Sequence, residues 1–356
     1  MIGLQPNDDF SQDITCSPEG YPFDSVSCLS WLPYSSQQIF ACASWDATVR
    51  VYSFLPVSPL KLERRFDLFD PCLSVDWSPN FPVGGFIDGT IRIFDLIEGN
   101  VQIVGGENSK HQDAVKSVHW IDDYQTVVSL SYDRTMKLWD SRQRSEIHTI
   151  KLEGKPYCSD MKYPTIAVGF NDRRVGIANI SDILHNPQSI KWSFIPKVFN
   201  DEDQITDISM FCTERRFGFG ACSDFGNGSI YDITQDINNT FKANRIMVFK
   251  AHYFNKPGSK QIVFPVNAIG MHRTTQALFT AGGDGNINFW NYGQKDKTGT
   301  IKLGGIPVTK AKFNRDDSLV AYANGYDYAQ GIQGAHSYKT RIGVHIVKPK
   351  ELSRLK

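Results

Sequence analysis

SWDATVRVY (44–52), FIDGTIRIF (86–94), SYDRTMKLW (131–139), FNDRRVGIA (170–178) and GGDGNINFW (282–290) are five copies of one phrase. The third residue of each copy is an aspartate: Asp46, Asp88, Asp133, Asp172 and Asp284. Six residues on stands an aromatic or its replacement: Tyr52, Phe94, Trp139, Ala178 and Trp290. The first four aspartates follow one another at intervals of 42, 45 and 39 residues. The next interval, 112 residues, leaves room for one degenerate copy and an insertion; CSDFGNGSIYDI fits, with Asp224 one place early and Phe225 at the aspartate position. GYDYAQG, with Asp327 43 residues after Asp284, suggests a seventh.

The material around the phrase is also periodic. An alternating run comes first (VSCLSW, LSVDWS, VKSVHW, VNAIGMH, VTKAKF), then a small apolar run (FACAS, VVSLS, TIAVGF, LFTAGG, LVAYA), then the turn with its aspartate, then a third run. Period-two alternation between turn residues is the strand signal. A run of small apolar residues suits a strand buried on both faces. Segments such as LKLERRFDLF and EIHTIKLEG supply a fourth, outer strand. A four-stranded unit of 40 to 45 residues is a WD-repeat blade, so the chain is predicted to be all-β, a seven-bladed propeller forming a single domain. The turn aspartates Asp46, Asp88, Asp133, Asp172 and Asp284 have structural work there, accepting bonds from turn amides and from a His, Ser or Thr. FSQDITC (10–16) is expected to pair with the last blade and close the ring. The predicted organisation is an N-terminal segment over 1–20, the propeller over 21–347 and a basic, solvated tail over 348–356.

Composition narrows the partners. The 356 residues carry 38 Lys+Arg and 38 Asp+Glu, and zero net charge argues against general polyelectrolyte binding. No run approaches ~18 apolar residues, and the N-terminus has neither the basic start nor the apolar run of a secretory signal. Seven cysteines without a C-x-x-C pair fit neither a disulfide framework nor a zinc site, and point to a reducing compartment.

Enzyme signatures are missing. The sequence has no G-x-S-x-G, H-E-x-x-H or G-x-x-x-x-G-K-[ST]. GFGACS (218–223) starts like a dinucleotide fingerprint but lacks the third glycine and the following helix. The eight histidines are dispersed, and the expectation is no enzyme, no cofactor and no metal. His111 occupies the place of the histidine that opens many WD repeats. Asp201-Glu202-Asp203 reads as a solvated loop. Arg64-Arg65, Arg173-Arg174 and Arg215-Arg216 read as solvated turns. Three longer departures from the repeat, 181–204, 234–262 and 325–340, are where a rigid scaffold would carry binding function.

HQDAVKSVHWI, GKPYCSDMKYPTIAVG, MVFKAH followed by PVNAIGMH, AGGDGNINFW and FNRDDSLVAYANGYDYAQG occur in that order. Together they resemble the messenger-RNA export WD-repeat family of the nuclear pore (the Rae/Gle family), from about Asp13 to Val347. The mitotic-checkpoint Bub-type family shares the propeller, but HQDAVKSVHW, PYCSDMKYP and YDYAQG favour the export family. The resemblance implies a docking protein of the nucleus, nuclear pore complex and nuclear envelope, also found in the cytoplasm. Its partner would be the GLEBS motif, a short peptide of a GLFG-repeat nucleoporin, with mRNA or its protein particles and mitotic checkpoint proteins as further candidates. The Bub-type alternative is a spindle-checkpoint adaptor that binds a similar motif in checkpoint kinases. The positions matching the family's peptide surface in blades five and six are Phe249, Lys250, His252 and Trp290. The aromatics would be anchors of the kind found at interface hot spots, and Lys250 a charged rim. One position departs from the family: where members carry an Arg that meets an acidic residue of the peptide, this chain has Asn227, which cannot offer a bidentate charged fork.

Overall fold

Val26–Trp31, Gln38–Ser44, Thr48–Phe54 and Lys61–Asp67 pair antiparallel in chain order, each with its neighbour, and form blade 1. Burial follows the grammar of the sequence. The second strand is buried along its last five residues, and the fourth, KLERRFD, is half exposed. The pattern recurs in every blade because small side chains (Ala41, Ala43, Gly84, Gly85, Ala167, Gly169, Ala221, Ala281) let the sheets pack face to face near the axis. A Cβ at Gly85 would strike Val115 of the next blade, so the glycine sets how closely those sheets approach.

The computed structural model describes residues 13–353, except 34, 57, 182, 184, 201, 214, 215, 237, 239, 256, 257, 259, 260, 330 and 332–337. Among them seven four-stranded sheets form the propeller. Blades 2 to 6 occupy 72–104, 115–151, 156–195, 205–250 and 266–302. Blade 7 combines Val308–Phe313, Leu319–Asn324 and Arg341–Ile346 with Ile14–Thr15. Ile14 pairs with Val344 and Thr15 with Gly343, so the two ends of the chain share one sheet. Residues 10–12 of the expected closing strand lie outside the described residues.

Innermost strands are stitched from blade to blade. The Trp120 amide donates to Asp76 (2.9 Å), Met210 to Asp160 (2.7 Å) and Ile269 to Asp207 (3.1 Å). Each carboxylate thereby satisfies a backbone donor that the next sheet cannot. The indole of Trp31 in blade 1 donates to the Lys312 carbonyl of blade 7 (3.0 Å) across the closure. Every innermost strand also carries a register shift at its second residue, the mark of a β-bulge, which turns that side chain toward the channel mouth.

Three readings of the sequence change. Most of 234–262 is not a connector: Phe241–Lys250 is the long outer strand of blade 5, and the excess lies in a small hairpin, Tyr253–Phe254 against Ile262–Val263. Segment 181–204 contributes the outer strand of blade 4, Ser193–Ile195. The basic tail is not solvated through residue 352. Pro349–Leu352 forms a short helix whose Glu351 is buried and bonded to His345 (3.0 Å), while Asn291 of blade 6 donates to the Leu352 carbonyl (3.0 Å). The charge count of KPKELSRLK hid one acid with a buried partner.

Candidate functional site

The turn aspartates divide by their partners. In blade 3, His111 Nδ1 lies 3.0 Å from Asp133 and 2.9 Å from Thr135, and its Nε2 lies 2.7 Å from Ser129 Oγ, which also accepts the Trp139 indole N–H (2.8 Å). Blade 6 repeats the chain: His252 to Asp284 (2.7 Å) and Thr280 (3.0 Å), with the Trp290 indole on Thr280 (3.0 Å). Burial disfavours the charge on Asp133 and Asp284, yet the bonds from His111 and His252 and from the turn outweigh it and hold both carboxyls below the ordinary range. In blades 1 and 2 the charged donor is an arginine of the same hairpin. Arg50 meets Asp46 at 3.0 Å and Arg92 meets Asp88 at 2.6 Å, each four residues on. Asp172 of blade 4 pairs with Arg174 at the surface.

Blade 5 inverts this scheme. Phe225 takes the aspartate position, and the acid moves to the connector, where Asp203 stands as far before Phe225 as His111 stands before Asp133. Asp203 is buried and accepts from Asn227 Nδ2 (2.6 Å) and Ser223 Oγ (3.2 Å). Asn227, read in the sequence as a lost charged fork, is thus the amide half of an internal bond that replaces the histidine–aspartate pair.

The remaining candidates separate by accessibility. His252 is fully buried in its network and offers no side chain to a partner. Phe249 and Trp290 pack with tilted rings 4.6 Å apart, are 9% and 8% exposed, and seal blade 5 against blade 6. Lys250 is exposed and bonds Gln261 (2.7 Å). Around Lys250 and Asn227 lies a cavity of about 300 Å³, walled by Asn200, Glu202, Asp203, Phe225, Tyr253 and Val263. A second, of about 480 Å³, adjoins it at Asn200, Asp203 and Asn227 and runs past Val198, Tyr231, Arg245 and Val248. Together they make a trough along blade 5 with Asn227–Asp203 at its midpoint. Phe225, Val248, Tyr253, Phe254, Ile262 and Val263 all show more than 40% of their surface to solvent. These residues went unnoticed in the sequence, although the apolar doublets YF and IV inside an insertion were a legible sign. Lys197, Arg245 and Lys250 bring positive charge to the same trough.

Other chemistry is sparse. Among the described residues no group of three His, Cys, Asp and Glu side chains is placed to hold a metal, and no helix is long and apolar enough to cross a membrane.

Repeats, closure and turn networks together define a seven-bladed WD-repeat β-propeller. The family model "WD domain, G-beta repeat" matches residues 14–53 and 106–140. Over most of its length the chain is homologous to proteins named as mRNA export factors. It is 28% identical to the poly(A)+ RNA export protein of Schizosaccharomyces pombe, over 87% of this chain and 84% of that protein. It is 26% identical to mRNA export factor rae-1 of Caenorhabditis elegans, over 95% and 88%. The mitotic checkpoint protein bub-3 of the same worm is more distant, at 23% over 92% and 93%. Among solved structures, U3-55K superposes with a TM-score of 0.73 over 97% of this chain and all of that one, at 15% identity, a likeness of fold alone.

Proposed function

We propose that this chain is a non-enzymatic mRNA export factor that docks a GLEBS-type peptide of a GLFG nucleoporin at the nuclear pore. The peptide lies in the trough between blade 5 and the paired strands Tyr253–Phe254 and Ile262–Val263. The carrying observation is that trough: two adjoining cavities rimmed by exposed apolar side chains. An extended peptide would bury Phe225, Tyr253 and Val263 and place acidic residues near Lys250 and Arg245, which fits apolar anchoring with charge selection at the rim. Because much of the wall belongs to paired strands and Asp203 of the connector is held by Asn227 and Ser223, docking needs little rearrangement. Phe249 and Trp290 act beneath this surface as its support, and Asn227 with Asp203 forms its floor. The imidazoles and carboxylates that could attempt catalysis are tied into turns, which supports a scaffold. The working place is the nucleus, at the pore complex and nuclear envelope, with passage through the cytoplasm. Messenger RNA particles and mitotic checkpoint proteins are further partners of this reading.

Calorimetric titration with two synthetic peptides tests it: the GLEBS segment of the same organism's GLFG nucleoporin and the matching segment of its checkpoint kinase. Saturable binding of the nucleoporin peptide, weakened about tenfold or more by Val263→Asp at unchanged melting temperature, is the expected result. Binding of the kinase peptide alone would move the protein to the checkpoint role, and silence from both would end the docking reading.

A further inference from the structure

The channel mouth on the side of the aspartate turns drew no attention in the sequence. Six of the seven bulged residues surround a cavity of about 230 Å³ there: Ser27, Leu73, Lys116, Thr206, Asn267 and Thr309. Lys310, next to the blade 7 bulge, enters the same space. Most of the neutral members use their donors on the ring itself. Ser27 donates to the Cys72 carbonyl (2.6 Å), Asn267 to the Val308 carbonyl (2.9 Å), Thr309 to the Ala323 carbonyl (3.2 Å), and Thr206 to the Val266 carbonyl. The lysines are different. Lys116 has no hydrogen-bond or ion-pair partner among the described residues, and Lys310 has a single long bond to the Asn267 carbonyl (3.4 Å).

Among the described residues no acid forms a salt bridge with either lysine, although Asp207 in the adjoining channel attracts Lys116 from a distance. Asp327 is the one carboxylate in the cavity wall, and its oxygens already meet the Ala329 amide (3.2 Å) and the Asn267 side chain (3.4 Å). Asp207, deeper in the channel, accepts the Ile269 amide. Burial first, and the neighbouring charge of Lys310 second, weaken the hold of Lys116 on its proton. Two lysines from blades 3 and 7 therefore line one cavity, and the charge of Lys310 disfavours that of Lys116. Such an arrangement favours an anion placed between them.

We propose that the channel mouth binds a phosphate-class dianion, held between Lys116 and Lys310. A dianion matches the two positive charges, and its tetrahedral oxygens can accept from both ammonium groups at once. Trp45 and Tyr132 also line the mouth and would flank the organic group of a phosphate monoester. The site stands on blades 3 and 7, apart from the trough of blade 5, so it neither requires nor excludes peptide docking there.

The test is calorimetric titration of the full chain at constant ionic strength with inorganic phosphate and, separately, O-phosphoserine. Saturable binding is expected, and Lys116→Gln or Lys310→Gln should each weaken it about tenfold or more. Without ligand neither variant should lower the melting temperature, since each removes a like-charge repulsion; a lysine that merely supported the fold would lower it. Lys312→Gln is the control, because Lys312 pairs with Asp160 at 3.7 Å deeper in the channel, and it should keep its affinity within about twofold. Tighter binding of O-phosphoserine would identify a phosphorylated side chain or small ester as the source, and equal binding would identify free phosphate. No saturable binding of either ligand, or affinity unchanged in both Lys116→Gln and Lys310→Gln, would overturn the proposal.

Discussion

Blades 1 and 2 hold their turn aspartates with an arginine four residues on, whereas blades 3 and 6 hold theirs with a histidine 22 and 32 residues earlier. The first arrangement centres its charge pair on one hairpin, with the connector joined through the Phe23 amide on Asp46 (2.9 Å) in blade 1 and through Arg92 on Asp70 (3.2 Å) in blade 2. The second ties the connector from the preceding blade to the hairpin and, through Ser129 or Thr280, to the indole behind it. The partners also differ in what happens when the acid is lost. A guanidinium keeps its charge, whereas an imidazole can release its proton. Arg50 is wholly buried, with Nε and Nη2 unpaired, so its charge rests on the single contact with Asp46 and its link to Thr48. Blade 5 shows a third solution, an acid–amide pair between Asp203 and Asn227, beside the face proposed to dock a peptide.

The comparison breaks most sharply at the acid. Asp46→Ala should destabilise the protein by roughly 3–5 kcal/mol, because it strands a buried charge. Asp133→Ala should cost about 1–3 kcal/mol, the loss of hydrogen bonds without a permanent charge left stranded. Urea unfolding of both variants at one pH decides it, and equal costs would show that local and remote partners are equivalent.

A titration sharpens the same contrast. His345 is another histidine that joins distant segments, lying 2.8 Å from Asp13 and 3.0 Å from Glu351. Burial lowers its pKa, but the two carboxylates outweigh burial and raise it to about 9. The folded value exceeds the ordinary value, so the stabilisation is complete below about pH 6.5 and is lost as pH rises through about 9. Between pH 6.5 and 9.5 the protein should lose on the order of 2–3 kcal/mol more than His345→Gln does, measured by urea unfolding. No such pH-linked loss is expected from the Arg50–Asp46 pair in that range.

The smallest effect belongs to blade 4. Asp172 and Arg174 are 39% and 27% exposed, so solvent screens the pair, and Asp172→Asn should shift stability by less than about 1 kcal/mol. A larger shift in thermal unfolding would mean that the exposed turn is as coupled as the buried ones.

How much of this could be read beforehand differs from residue to residue. The aspartates, the aromatics six residues on and the place of His111 were legible, because a turn needs its acid at a fixed offset from the strands it joins. The partners were only partly so. Arg50 and Arg92 are visible four residues after their acids, but Asp203 and Glu351 sat inside a loop and a basic tail where charge counting concealed them. The docking candidates divided the same way. Phe249, His252 and Trp290 match a family surface by position, yet the fold buries them, and the accessible apolar residues lie in the adjoining hairpin and turn.

By itself the sequence determined the architecture: seven units, four strands each, with a turn acid in most. Period-two alternation and a 40-odd-residue repeat are local properties, and a blade cannot bury its faces except against another blade. Only the tertiary structure decided what faces what. Closing the ring sets Asp13 beside His345, Asp203 beside Asn227, and Lys116 across the channel mouth with Lys310. Pairings over such separations depend on the radial arrangement of blades and on a bulge in each inner strand, neither of which leaves a mark within one repeat.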